Sequence, residues 1–88
     1  MTKKAEKIVN KYTETLELEI FSFEKGLVNF ERCVKVLNKD KEQFENLISG
    51  MFQYDMLSKN DFKEIYGLGY DLYSKYYDKA LDIEYNVA

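Results

Sequence analysis

Between Val9 and Leu37 the apolar residues Val9, Leu16, Ile20, Phe23, Leu27, Phe30, Val34 and Leu37 follow steps that alternate between four and three, with Thr13 the one interruption. Such steps keep side chains on one face of a helix of 3.6 residues per turn, whereas a strand, with its period of two, would scatter them over both faces. The spacing predicts a first helix over about residues 3–37, roughly 50 Å long at 1.5 Å per residue. Proline is absent and glycine occurs four times, so the turn signals of an all-β chain are missing.

Asp40, with Gln43 three residues on, has the spacing of a capping box and predicts a second helix over about residues 41–57, apolar at Phe44, Leu47, Ile48, Met51 and Phe52. Ser58 and Asp61 repeat that spacing ahead of a third helix over about residues 59–84, with Phe62, Ile65, Leu72, Tyr76 and Ile83 on one face and Gly69 and Ala80 as its small members. The last four residues, YNVA, are expected to fray. Three helices with two short connections define an all-α chain, either a three-helix bundle or a long helical hairpin with a third packed helix. Eighty-eight residues suit a single domain, residues 1–88, and no internal repeat is evident.

Much chemistry is removed by what the chain lacks. Without histidine the commonest general base and the favoured imidazole metal ligand are gone, and with Cys33 the sole cysteine no disulfide or cysteine metal framework can form. Asp78 and Asp82 are two carboxylates four apart, too few ligands for a metal site, and DMLSKNDFKE lacks the ligand ladder and bend glycine of a calcium loop. Cys33, near the edge of the first helix's apolar stripe, reads as a small buried hydrophobe. Glu31 with Lys35, and Asp71 with Lys75, have the spacing of helix-supporting pairs. The expectation is therefore no enzyme and no cofactor.

Thirteen basic and sixteen acidic residues leave a net charge of -3, which makes nucleic acid an improbable partner. The one basic cluster is Lys3, Lys4, Lys7 and Lys11, expected on the side of the first helix opposite Ile8, Tyr12 and Leu16. There it opposes the helix macrodipole and would suit an acidic partner. Neither a signal-peptide h-region nor an apolar run of the ~20 residues that span a bilayer is evident. With the lone cysteine, that predicts a cytoplasmic protein with no membrane association.

The third helix carries more apolar surface than one neighbour covers. Tyr66, Tyr70, Tyr73 and Tyr77 flank its aliphatic face, extended by Leu81, and on the first helix Leu18, Phe21 and Val28 point away from the seam. Tyrosine joins large apolar area to a hydroxyl that tolerates a wet rim, so these eight residues are expected to be either a protein interface or the flank of a wide core shared by the three helices. Gly26 and Gly69 are expected to let backbones approach closely, and Gly67 to mark a kink or another close approach. The function that follows is a small protein-binding module acting as an inhibitor, antitoxin, immunity-type or chaperone-like protein. The alternatives are a nucleic-acid-associated regulator using its basic N-terminus and a self-assembling helical protein, a homodimer or larger oligomer.

Overall fold

The computed structural model describes residues 1–86, in which three helices of similar length follow one another: α1 (Lys3–Glu24), α2 (Phe30–Gln53) and α3 (Lys59–Tyr85). Each packs against both others in an up-down-up three-helix bundle measuring 48 × 18 × 15 Å. Asn86 ends α3 with its N–H bonded to the carbonyl of Asp82. Of the four terminal residues expected to fray, Val87 and Ala88 lie outside the described residues.

The first helix expected over 3–37 is in fact the whole of α1 and the first third of α2. The chain turns at Lys25–Asn29. Gly26 takes φ of 74°, its N–H bonds to the carbonyl of Phe23, and the N–H of Leu27 bonds to that of Ser22. These are the paired bonds of a Schellman motif, which needs a left-handed residue that glycine supplies without a Cβ clash. Asn29 then caps α2, its Oδ1 accepting from the N–H of Arg32 at 2.8 Å. Gly26 therefore makes a turn and no close approach. Leu27, a member of the apolar series, is 73% exposed, so the seam keeps its phase across a break in the helix.

The second connection repeats the first. At Asp55 φ is 59°; its N–H bonds to the carbonyl of Phe52, the N–H of Met56 bonds to that of Met51, and Ser58 caps α3 by accepting from the N–H of Asp61 at 3.1 Å. Gly26 and Asp55 thus hold equivalent places, as do Asn29 and Ser58, with an apolar residue ahead of each cap: Val28, half-buried, and Leu57, buried. An L-residue held left-handed costs roughly 1–2 kcal/mol, less for aspartate. Asp55→Gly is accordingly expected to raise stability by about 1 kcal/mol in urea unfolding, and Gly26→Asp to lower it.

Asp40 begins no helix. It lies inside α2, half-buried, because the helix has already started eleven residues earlier at its Asn29 cap. Leu16, Leu37, Ile48, Ile65 and Cys33 are fully buried, and Thr13 fits within the seam by donating its hydroxyl to the carbonyl of Val9 at 2.9 Å. Across the middle of the bundle the Tyr12 ring of α1 stacks on the Phe44 ring of α2, centroids 4.1 Å apart and 8° from parallel. The other side of Phe44 lies against Gly69 of α3, where a Cβ would collide with the ring. Gly69 does serve close approach, but of an aromatic ring, whereas a Cβ at Gly67 would meet open space.

α1 and α3 run parallel, and their starts are joined. Thr2, the cap of α1, accepts from the N–H of Ala5 at 3.2 Å and donates to Oδ2 of Asp61 at 2.8 Å. Asp61 is the one charged residue buried among those described, and it serves both helix N-termini.

Candidate interaction surfaces

The tyrosine flank of α3 divides into two parts. Tyr73 and Tyr77 are half-buried along the groove between α2 and α3, with ring centroids 5.9 Å apart. Tyr73 donates its hydroxyl to Oδ1 of Asn38, and Lys41 lies 5.4 Å from its ring centroid. Burial and the neighbouring Tyr77 hydroxyl push the Tyr73 phenol up, while Lys41 pulls the other way. Tyr66 and Tyr70 are 46% and 60% exposed. Tyr66 leans on Phe62 at 6.0 Å, and Phe62 stacks on Phe52 of α2 at 4.8 Å. The ridge is thus continuous from Phe52 through Phe62 to Tyr66. Leu81 is half-buried. Tyr76, on the aliphatic face, is buried and donates to Oε1 of Glu17 on α1 at 3.0 Å.

The other three expected interface residues lie elsewhere. Phe21, 51% exposed, borders the groove between α1 and α3 with Ile20, Tyr76 and Ile83, and Leu18, 65% exposed, lies beside it. Val28 packs half-buried against the core at the first connection. The eight residues therefore occupy two sides of α3 and one end of the bundle; they do not converge on one patch.

A third groove, between α1 and α2, went unnoticed in the sequence. It has a volume of about 370 Å³, with Ile8, Tyr12, Phe44 and Leu47 as apolar lining and Lys7, Lys11, Thr15, Asp40 and Gln43 as polar lining. Lys7 and Lys11 line the groove with Ile8, and do not lie on the opposite side of the helix, because at about 100° per residue Lys11 is about 60° and Lys7 about 100° from Ile8 around the axis. Their spacing beside Ile8 and Tyr12 is the available signal, hidden because a first helix unbroken over residues 3–37 sets the next one, from residue 41, at the far end from Ile8 and Tyr12.

Two buried polar atoms near this groove, the hydroxyl of Tyr12 and Oδ2 of Asp40, have no hydrogen-bond partner among the described residues. Burial, with the negative charge of Asp40 and Glu45 nearby, pushes the Tyr12 phenol up. Burial and then Glu19 push the Asp40 carboxyl from 3.8 up to about 6, against a smaller opposing pull from Lys39. A carboxyl whose pKa is raised by folding binds protons more tightly when folded, so the stability that Asp40 contributes is fully present below pH 3.8 and is lost as pH rises through about 6. Asp40→Asn is expected to remove that slope in urea unfolding between pH 4 and pH 7. At pH 7 it should stabilise by about 1 kcal/mol, a figure reduced for solvent screening of a half-buried group.

Cys33 is fully buried, and desolvation and then Glu19 push its thiol up, the setting of an inert thiol. Among the described residues no group of three or more Cys, Asp or Glu side chains could hold a metal ion. The ion pair found there is Lys41 with Glu45 at 3.5 Å; the expected pairs Glu31–Lys35 and Asp71–Lys75 do not form. No described helix is long and apolar enough to cross a membrane. Compared with protein-family models, curated proteins and solved structures, the chain matches none. What its coordinates define is an all-α three-helix bundle with an aromatic ridge and a lysine-edged groove.

Proposed function

We propose that the chain is a non-enzymatic protein-binding module that works by covering part of a partner's surface, as inhibitors, antitoxins, immunity proteins and chaperones do. The observation that supports it is the exposure of Tyr66 and Tyr70 at 46% and 60%, with Tyr66 at the end of a row in which Phe62 is anchored by stacking on Phe52. Anchored neighbours lower the entropy lost on binding, and exposed tyrosines supply anchor residues of the type that dominates interface energetics. A catalytic reading would need a general base, and with no histidine present the commonest one is missing.

The test separates binding from folding. A photo-crosslinking residue placed at Tyr70 in the source cell is expected to capture one protein, and the same residue at exposed Glu64 of α3 is not. Tyr66→Ala with Tyr70→Ala should weaken binding of the captured protein about tenfold or more while the thermal midpoint stays within a few degrees. Equal capture from both positions would remove the ridge as the working surface.

A further inference from the structure

The groove between α1 and α2 has an apolar lining and one strongly charged edge. Lys7 and Lys11 line it, and Lys4 extends the same helical row toward the start of α1. All three are exposed, and none has an ion-pair partner among the described residues. Across the groove stand Gln43 and Leu47, and Leu47 is 54% exposed beside buried Phe44 and Tyr12. The chain as a whole carries -3, so this basic row departs from the balance of the surface around it. Lys3 and Lys4, in the first turn of α1, also oppose the helix macrodipole, and only Glu6 in that turn offsets them.

We propose that this groove takes an acidic amphipathic helix from a partner protein, packed as a fourth helix on the bundle. Leucine-type side chains of that helix, at i, i+3, i+4 and i+7, enter between Ile8 and Leu47, and its glutamates or aspartates lie along Lys4, Lys7 and Lys11. Asp40, further along the groove, disfavours acid at that end, so the charge pattern also fixes which way the helix runs. Nucleic acid would use the same lysines but has no use for the apolar lining. A second copy of this chain offers one acidic amphipathic face, on α1, where exposed Leu18 and Phe21 lie among Glu14, Glu17 and Glu24, and sedimentation tests that occupant below. The inference shares with the proposed function only that the partner is a protein. It does not depend on the tyrosine ridge.

The probe is a synthetic helical peptide of about 18 residues, ~27 Å long, with leucines at the four spaced positions and glutamates flanking them. Its twin carries lysine in place of every glutamate. The acidic peptide is expected to bind with a Kd on the order of micromolar, and more weakly as salt screens the lysines. Backbone amide shifts should concentrate at Ile8, Tyr12, Phe44 and Leu47. The lysine twin should bind at least about tenfold more weakly, and Lys7→Glu with Lys11→Glu should reverse the preference between the two. Circular dichroism checks that this surface variant keeps its fold, with Lys7→Gln and Lys11→Gln as a milder pair. Binding that survives Tyr66→Ala with Tyr70→Ala separates this groove from the ridge. Failure of the acidic peptide to bind, equal binding of the twins, or shifts centred elsewhere would overturn the proposal. So would a dimer in sedimentation that dissociates on Lys7→Glu with Lys11→Glu, because it would make a second copy the occupant.

Discussion

Phe44→Ala is expected to lower the unfolding free energy by about 4 kcal/mol, within the range for truncating a buried aromatic ring. The ring is enclosed on both sides, by Tyr12 stacked at 4.1 Å and by the bare backbone of Gly69, so neither neighbour can easily fill the space left behind. The pairing with Gly69 makes a sharper test than the loss alone. Gly69→Ala in the parent forces its Cβ into the Phe44 ring and should cost about 1–3 kcal/mol as overpacking. In the Phe44→Ala background the ring is gone, and the same substitution should stabilise α3 by up to about 1 kcal/mol through helix propensity. A change of sign between backgrounds, read from urea unfolding of the four proteins, is the expected result. Equal costs in both backgrounds would mean that Gly69 is needed for some reason other than the ring.

The second large effect is at Asp61. Its carboxylate accepts from the Thr2 hydroxyl at 2.8 Å while its own N–H donates to Ser58 at 3.1 Å, and it lies where α1 and α3 both begin. Asp61→Ala removes a charge-assisted hydrogen bond worth about 1.5–3 kcal/mol and a favourable charge at two helix N-termini. A loss of about 2–3 kcal/mol is expected, with about 1 kcal/mol for Asp61→Asn, which keeps an acceptor but no charge. Thr2→Ala combined with Asp61→Ala should cost less than the sum of the two changes. Strict additivity would show that the two helix starts are not coupled through this bond.

The aliphatic side of α3 was legible in the sequence because its spacing is unbroken and every member, from Phe62 to Ile83, packs inward. The same rule failed at the first connection for a physical reason. A seam in steps of three and four reports which residues share a face, and a turn that returns the chain in phase leaves no mark on it. Leu27 occupied the right step while facing solvent. The signal that would have found the turn was Gly26 followed three residues later by Asn29, a left-handed residue and then a cap. The same arrangement at Asp55 and Ser58 was half visible, since Ser58 has cap chemistry but Asp55 has no glycine to announce it. Asp40 has cap chemistry too, and a capping residue within a helix cannot be told from one at its start until the true start is known.

The tyrosines were legible as a stripe but not as two environments. Periodicity places Tyr73 and Tyr70 on one flank; only the position of α2 decides that Tyr73 reaches Asn38 while Tyr70 remains open. A first helix unbroken over residues 3–37 puts the next one, from residue 41, at the far end from Ile8 and Tyr12, so the groove between α1 and α2 does not follow from it, and neither does the burial of Asp40 which, with Glu19 nearby, raises its carboxyl pKa.

The two matching connections bear on how the chain reaches this state. Each stops one helix and starts the next with bonds made inside its own few residues, so neither waits for the other to form. The α1–α2 and α2–α3 hairpins are then alternative first products, and folding traffic divides between two routes that share α2, on the fast timescale of helical bundles. A stronger turn at Asp55→Gly would divert that traffic toward the α2–α3 hairpin, and a weaker one at Gly26→Asp would do the same by closing the other route. Under such a division φ-values near Ser58 would rise and those near Asn29 would fall in both backgrounds alike.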